Sequence, residues 1–347
     1  MAIITQKINT RPQLTKHLVA SGIFQLSPLT VIEVGARGGF EKHWDLYGEQ
    51  IRLVGFEADI GECERLNRQN QDRNRKYFPI GLSHRQGKRT LYIQRHVASS
   101  SFYKSREDFL QRFPAAQDLI PHAAIEISTT DLDSFVAKNN LRPDFMKLDI
   151  EGAELDVFRG GTKCLGDSIF GLSTEAVFYP WRENIPTFSE LDILLRKLGF
   201  VLFDLPIFRW EKKTLSPYMH EQNGTFGPTD KGQVVWTQAL YLKDPVAELK
   251  QGLVNRWPVA RILKLASIME LYNLEDCALE LIDAASQLGL IKKRDRNVLM
   301  NLTTPPLNGR TVSYSEYVKY LKKVGAPRYL KGRKVSREEY EKYQSKK

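Results

Sequence analysis

The chain has 347 residues, 42% hydrophobic and 27% charged, the composition of a soluble globular protein with room for one large domain or two ordinary ones. No run of about 18 apolar residues exists, so no membrane span is expected, and the opening MAIITQKINTRPQ lacks the apolar core of a signal peptide. The net charge of +10 is concentrated at the end, where Arg310 to Lys347 holds 12 Lys and Arg against 4 Asp and Glu. Such a tail suits an acidic partner (nucleic acid, an anionic lipid surface or an acidic glycan), or it is a solvated terminal helix.

Residues 1–29 read as a helical lead-in. Thr10-Arg11-Pro12-Gln13 fits a capping box, Leu14, Leu18 and Val19 share a face, and Gly22 ends the run. Thr30 to Val34 is an apolar strand that opens into Gly35-Ala36-Arg37-Gly38-Gly39. An amphipathic segment follows, and a second apolar strand ends in Gly55-Phe56-Glu57. This strand–loop–helix–strand unit has glycines at its first turn, where the backbone must approach a ligand, and a carboxylate 22 positions after Gly35, where ribose hydroxyls would be met.

Further strands are expected over Lys76–Leu82, Lys88–Gln94, Ala124–Ser128, Asp144–Ile150, Ser168–Val177, Phe200–Leu205 and Val234–Leu242. Helices over Ile60–Asn70 and Leu132–Asn139, one starting near Leu155, and one opened by the capping box Thr187-Phe188-Ser189-Glu190 alternate with them. Ala98 to His122 is long, aromatic and irregular, the texture of a lid or substrate loop. The alternation predicts an α/β domain with a mostly parallel sheet over 30–244. From Pro245 to Lys347 the pattern turns helical, with helices over Val246–Trp257, Val259–Leu271 and Leu274–Leu288 (N-cap Asn273), and with capping boxes at Ser313 and Ser336.

A glycine turn followed by an acidic second strand serves both dinucleotide enzymes and methyl-donor enzymes. Gly35, Gly38 and Gly39 depart from the G-x-G-x-x-G order that a pyrophosphate demands, and Glu33 adds a carboxylate suited to an amino-acid moiety or a sulfonium. The methyl donor is therefore favoured over the dinucleotide. A second constellation is Lys147-Leu148-Asp149-Ile150-Glu151-Gly152-Ala153-Glu154. Alternation puts Lys147, Asp149 and Glu151 on one side at the carboxyl end of a strand, where open α/β sheets bind ligands. There they either brace the sheet as an internal ion pair or face the reacting group, orienting a hydroxyl and accepting its proton.

From about Val31 to Phe203 the chain resembles the FkbM family of S-adenosylmethionine-dependent methyltransferases. Glu33-Val34-Gly35-Ala36-Arg37-Gly38-Gly39 is similar to the family's D-V-G-A-N-x-G motif, with Glu for Asp and Arg for Asn. Phe56-Glu57-Ala58-Asp59 is similar to F-E-P-x, and Gly81-Leu82-Ser83 sits where A-L-S/G is usual. Ser99-Ser100-Ser101-Phe102 resembles S-S-L, and Thr130-Asp131-Leu132-Asp133-Ser134-Phe135 resembles T-L-D-x-F with one extra residue. Met146 to Glu154 is close to I-K-I-D-V-E-G-A-E, and Glu175 matches the next strand's terminal acid.

The resemblance implies a Rossmann-like class I methyltransferase fold, whose last strand is antiparallel (here Val234 to Leu242), with an all-helical appendage left over. It implies S-adenosylmethionine as cofactor and O-methylation of a sugar, glycan or other small-molecule hydroxyl in a cytoplasmic enzyme. Gly35, Ala36, Arg37 and Gly39 would shape the turn under the methionine part, Glu33 would stand near it, Glu57 would take the ribose, and Leu82 and Ser83 would border the adenine. Asp149 would reach the cofactor as well as the acceptor. Asp149 or Glu151 is the first candidate for general base and Glu175 the next, with Lys147 holding the acceptor or setting a carboxylate's pKa. His43, His96 and His122 are alternative bases, and Tyr179-Pro180-Trp181-Arg182 would wall the acceptor pocket or simply cap a loop.

No resident metal is expected. A metal-assisted variant would use Asp149, Glu151 and Glu175. Two other readings stay open: an RNA methyltransferase with the basic tail as its footprint, and a non-catalytic scaffold. Residues 245–347 would form a homo-oligomer, dock a carrier-bound acceptor or cap the sheet edge.

Overall fold

The computed structural model describes residues 7–215, 221–222, 225–226, 231–307 and 309–324, with 328–330, 333–335, 338 and 342 beyond them. Two compact units form, one built on Val19–Asp244 and the other on Asn9–Leu18 together with Pro245–Lys347. The first helix of the chain is α1 (Gln13–Ala20).

In the first unit β1 (Leu29–Val34) is buried along its whole length. A 3-10 stretch, Lys42–Gln50, replaces the expected amphipathic helix because Gly48 (φ 53°) breaks it. It leads into β2 (Ile51–Phe56), after which α2 (Ile60–Gln69) starts on Asp59, whose side chain accepts from the Glu62 N–H. The expected strand at 76–82 divides into β3 (Arg75–Phe78) and β4 (Gly81–Leu82), which join different sheets. Next come β5 (Gly87–Gln94), α3 (Glu107–Leu110) and β6 (Pro121–Thr130), and β4, β6 and β5 make a separate three-stranded sheet.

Further on lie α4 (Leu132–Lys138), β7 (Phe145–Leu148), α5 (Glu154–Arg159), α6 (Thr162–Asp167) and β8 (Gly171–Val177). The capping box at Thr187 opens α7 (Phe188–Lys197) as expected. The unit closes with β9 (Phe200–Asp204), β10 (Ile207–Trp210), the two-residue pair β11 (Glu221–Gln222) and β12 (Thr225–Phe226), and β13 (Gln233–Lys243).

The main sheet runs β3-β2-β1-β7-β8-β13, parallel from β3 to β8. Only β13 reverses against β8, and β9 and β10 both pair antiparallel with β13. This is the class I methyltransferase sheet with its last strand antiparallel. It differs from the expectation at the edge, where β9 and the unforeseen β10 share one neighbour. Ile32, Val54, Met146 and Leu172 from the parallel strands pack with Leu155, Phe158 and Leu191 from the helices. Burying such side chains stabilises the fold by about 1.5–3 kcal/mol each and holds the carboxyl ends of β1, β2 and β7 in register.

The second unit is mainly helical: α8 (Pro245–Lys250), α9 (Val259–Leu271), α10 (Glu275–Gln287), α11 (Lys293–Thr303) and α12 (Tyr314–Val324). The expected helix to Trp257 stops at Lys250, before Gly252 (φ 83°). Asn273 has a left-handed φ of 57°, so Leu274 takes the N-cap position. The Ser313 capping box forms, with Glu316 N–H donating to Ser313 Oγ at 3.3 Å and Ser313 N–H to Glu316 Oε2 at 2.8 Å. A small pair, β14 (Arg328–Leu330) with β15 (Arg333–Val335), departs from the all-helical expectation. The helix expected from Ser336 lies for the most part outside the described residues. Among the described residues no helix is long and apolar enough to cross a membrane.

Candidate cofactor cavity and acidic cluster

The glycine turn packs directly on the end of β7. Gly35 has φ 82°, and a Cβ there would stand 2.1 Å from the Asp149 carbonyl oxygen. The Gly35 and Ala36 N–H groups both donate to the Phe56 carbonyl at 3.0 Å, which ties the turn to the end of β2. There Glu57 is buried, with its carboxylate accepting from the Asp59 N–H at 2.8 Å. Burial raises the Glu57 pKa, opposed by the Asp59 amide and by Arg37. Arg37 bridges the turn to this strand end. Its Nη2 lies 2.6 Å from Asp59 and its Nε 4.0 Å from Glu57.

A cavity of about 510 Å³ opens at these strand ends, a size in the range of small-molecule and cofactor sites. Gly35, Arg37, Glu57, Asp59, Leu82 and Asp149 line it, with Ile80, Leu91 and Phe102 among its apolar walls. Its charged lining is four carboxylates (Glu57, Asp59, Glu126 and Asp149) against the single guanidinium of Arg37. Lys88 pairs with Glu126 and Lys147 stands beside Asp149, which leaves a slight acidic excess that suits a ligand with cationic groups better than a pyrophosphate.

Of the cofactor residues named from the sequence, Gly35, Arg37, Glu57, Leu82 and Asp149 line the cavity, and Glu33, Ala36, Gly39 and Ser83 do not. Glu33 instead accepts from Trp44 Nε1 at 2.6 Å, and burial raises its pKa to about 7 against the pull of Lys147. Ala36 packs with Cys63, Leu66 and Tyr77. A Cβ on Gly39 would meet the Tyr77 hydroxyl and Leu66 only at ordinary contact distances of 3.4 and 3.6 Å, so it is the φ of 98° that calls for glycine here. Ser83 Oγ accepts from Arg89 Nη1 at 3.1 Å.

The proposed catalytic residues separate into two groups. Strand alternation holds only to Leu148, where β7 ends. Lys147 Nζ lies 3.7 Å from Asp149 and 3.5 Å from Glu41. Burial acts to lower the Lys147 pKa, but Asp149, Glu41 and Glu33 outweigh it and hold the ammonium above its ordinary value. Asp149 is half-exposed (47%) and on the cavity wall. Glu151 departs from the alternation. It adopts a left-handed φ of 59° and pairs with the buried Arg182 at 2.7 Å.

Glu175, on β8, is buried, and its Oε2 has no hydrogen-bond partner among the described residues. Burial raises its pKa well above the ordinary value of a glutamate, reinforced by Glu151, Glu154 and Asp149. Glu154 is likewise buried, and its pKa is pushed to about 8. Burial thus favours the neutral form of these deep carboxyls, while Asp149 stands exposed on the cavity wall.

Among the histidines, His43 packs against Trp44 with its pKa lowered by burial, His96 lies 3.0 Å from Ser99 Oγ, and His122 is exposed. Tyr179 stacks on Phe109 with centroids 4.4 Å apart. Two roles escape the sequence. Glu41 joins Lys147 from a segment with no motif. Arg182, expected with Tyr179, Pro180 and Trp181 to wall the acceptor pocket or cap a loop, is instead buried as the partner of Glu151. Among the described residues no group of three His, Cys, Asp or Glu is arranged to hold a metal ion.

Residues 33–202 match the model of the methyltransferase FkbM domain. No curated protein matches the sequence. Among solved structures, the chain is similar to a methyltransferase FkbM from Methylobacillus flagellatus KT, at 14% identity over 62% of this chain and 43% of that one, with a TM-score of 0.34. It therefore spans less than half the length of that protein. It is also similar to precorrin-6y C5,15-methyltransferase from Geobacter metallireducens GS-15, at 9% identity over 69% and 93% of the two chains (TM-score 0.33). A third similar structure is magnesium protoporphyrin IX methyltransferase from Synechocystis PCC 6803 with bound SAM, at 6% identity over 66% and 80% (TM-score 0.31).

Proposed function

From the match of residues 33–202 to the methyltransferase FkbM domain we propose that the chain is a member of that family and transfers a methyl group from S-adenosylmethionine to a hydroxyl of a sugar, glycan or other small molecule. The observation that carries this reading is Asp149, which lies on the cavity wall and beside the Lys147 ammonium at once. The cavity fits the cofactor. Glu57 stands at the ribose position, the lining is acidic, and Gly35 lets the backbone approach closely.

When bound, S-adenosylmethionine supplies an electrophilic methyl carried on a sulfonium. Asp149 accepts the acceptor's proton, and Lys147, 3.7 Å from it, holds the acceptor oxygen. Of the two first candidates Asp149 is preferred, because Glu151 is paired with Arg182, and Glu175 stays behind both, because burial raises its pKa. Most of the acceleration comes from positioning. We assign the methyltransferase domain to residues 30–244 and place the protein in the cytoplasm, in keeping with cysteines that stand far apart along the chain, at Cys63, Cys164 and Cys277.

Calorimetric titration with S-adenosylmethionine and with NAD is the test of the cofactor. Binding of NAD alone would end this reading. The excess of 12 Lys and Arg over 4 Asp and Glu from Arg310 onward favours a second reading, an RNA acceptor. Methyl transfer to RNA and to glycan panels across a salt series separates the two: RNA turnover that collapses with salt supports the second.

A further inference from the structure

Two segments distant in sequence line the cavity. One contributes Val97, Ala98, Ser100 and Phe102, and the other contributes Asp149 and Ile150. One buried side chain reaches both. Arg182 is fully buried. Its Nη2 donates to the Ser99 carbonyl at 2.9 Å and to the Glu151 carboxylate at 2.7 Å, while its Nη1 donates to the Glu151 carbonyl. Ser101 Oγ donates to the same carbonyl at 2.7 Å.

The turn after Asp149 requires support of this kind. Glu151 and Gly152 both lie at positive φ, 59° and 108°, and the first is a conformation a glutamate adopts only at a cost. Arg182 is itself fixed. Its guanidinium carbon stands 4.1 Å from the centroid of the Trp181 ring, and its backbone bridges to Ser105.

We propose that Arg182 is a positioning residue for methyl transfer, a fork that sets the Asp149 turn and the Val97–Phe102 wall against the cofactor. Loss of the fork releases both segments together. A lysine would keep the charge, but its flexible point donor does not span two carbonyls and a carboxylate. The proposal rests on the S-adenosylmethionine reading for its effect on affinity, and on the fold alone for its effect on the two segments.

The full chain is compared with Arg182→Lys and Arg182→Ala by thermal melting, amide hydrogen exchange read by mass spectrometry, and calorimetry with S-adenosylmethionine. In Arg182→Lys, exchange should rise by about tenfold or more at 97–102 and 149–152 together, with β1 and β2 protected as before. Affinity for S-adenosylmethionine should fall about tenfold. Added guanidinium ion should restore protection in Arg182→Ala. Should Arg182→Ala not fold, Arg182→Lys carries the test. Exchange at both segments within about twofold of wild type, or a rise spread evenly over the sheet, overturns the proposal. If the wild-type chain failed to bind S-adenosylmethionine, the cofactor reading would fall, while the exchange comparison would still decide whether Arg182 ties the two segments.

Discussion

A side chain at position 35 would collide with the backbone of Asp149, because its Cβ would lie 2.1 Å from a carbonyl oxygen. Gly35→Ala should therefore cost about 3 kcal/mol or more, seen as a lowered melting temperature, since neither partner is a side chain that can swing away. Asp149 makes the opposite case, exposed and tolerant of substitution for folding. Asp149→Asn should weaken S-adenosylmethionine binding by no more than about tenfold and slow turnover far more, by about 10²–10⁴-fold, measured with any acceptor that the wild type methylates. Glu154 bears on stability instead. Its folded pKa of about 8 exceeds the ordinary carboxyl value, so the folded state binds the extra proton. Its stabilising contribution is complete at acid pH and is lost as pH rises toward 8, at no more than about 1.4 kcal/mol per pH unit. Glu154→Gln keeps an acceptor for the Ile150 N–H and removes the titration. Denaturation at pH 5 and pH 8 should show the variant gaining on wild type as pH rises. A constant difference between the two would contradict that protonation.

At the scale of elements, signals closed within a few residues are readable in the sequence and those closed across the chain are not. The Thr187 and Ser313 capping boxes form because both partners lie on one helical turn. Local sequence predicts that the Thr10–Gln13 segment caps the start of α1. Instead the Glu270 carboxylate on α9 accepts from the Leu14 and Thr15 N–H groups at 2.8 and 2.7 Å, and from the Thr15 hydroxyl at 2.7 Å. No local pattern announces a cap supplied from 256 positions away. Glu270→Ala should destabilise the second unit by about 2–3 kcal/mol, read by denaturation, because it leaves buried donors unmet. The same logic explains the site. The Glu57 position and Asp149 follow from strand ends in the sequence. The pairing of Glu151 with Arg182, and the turning of Glu33 toward Trp44, depend on loops whose course no periodicity encodes.

For the whole molecule, the parallel order of β3 to β8 is legible because alternating strands and helices leave few right-handed ways to wind a sheet. The edge is less so, since β9 and β10 are short and both depend on β13 for their pairing. The acidic lining of the cavity has a consequence for the cycle as a whole. Methyl transfer converts a sulfonium into a neutral thioether, so the spent cofactor carries one positive charge fewer than the fresh one. Even with Lys88 on Glu126 and Lys147 beside Asp149, the lining keeps a slight acidic excess that would hold the two with unequal strength. On the proposed function the cavity would work as a one-way valve, loading the charged form and letting the discharged form go. Raising ionic strength should weaken S-adenosylmethionine binding more than S-adenosylhomocysteine binding in parallel calorimetric titrations, and equal salt slopes would show that this valve is absent.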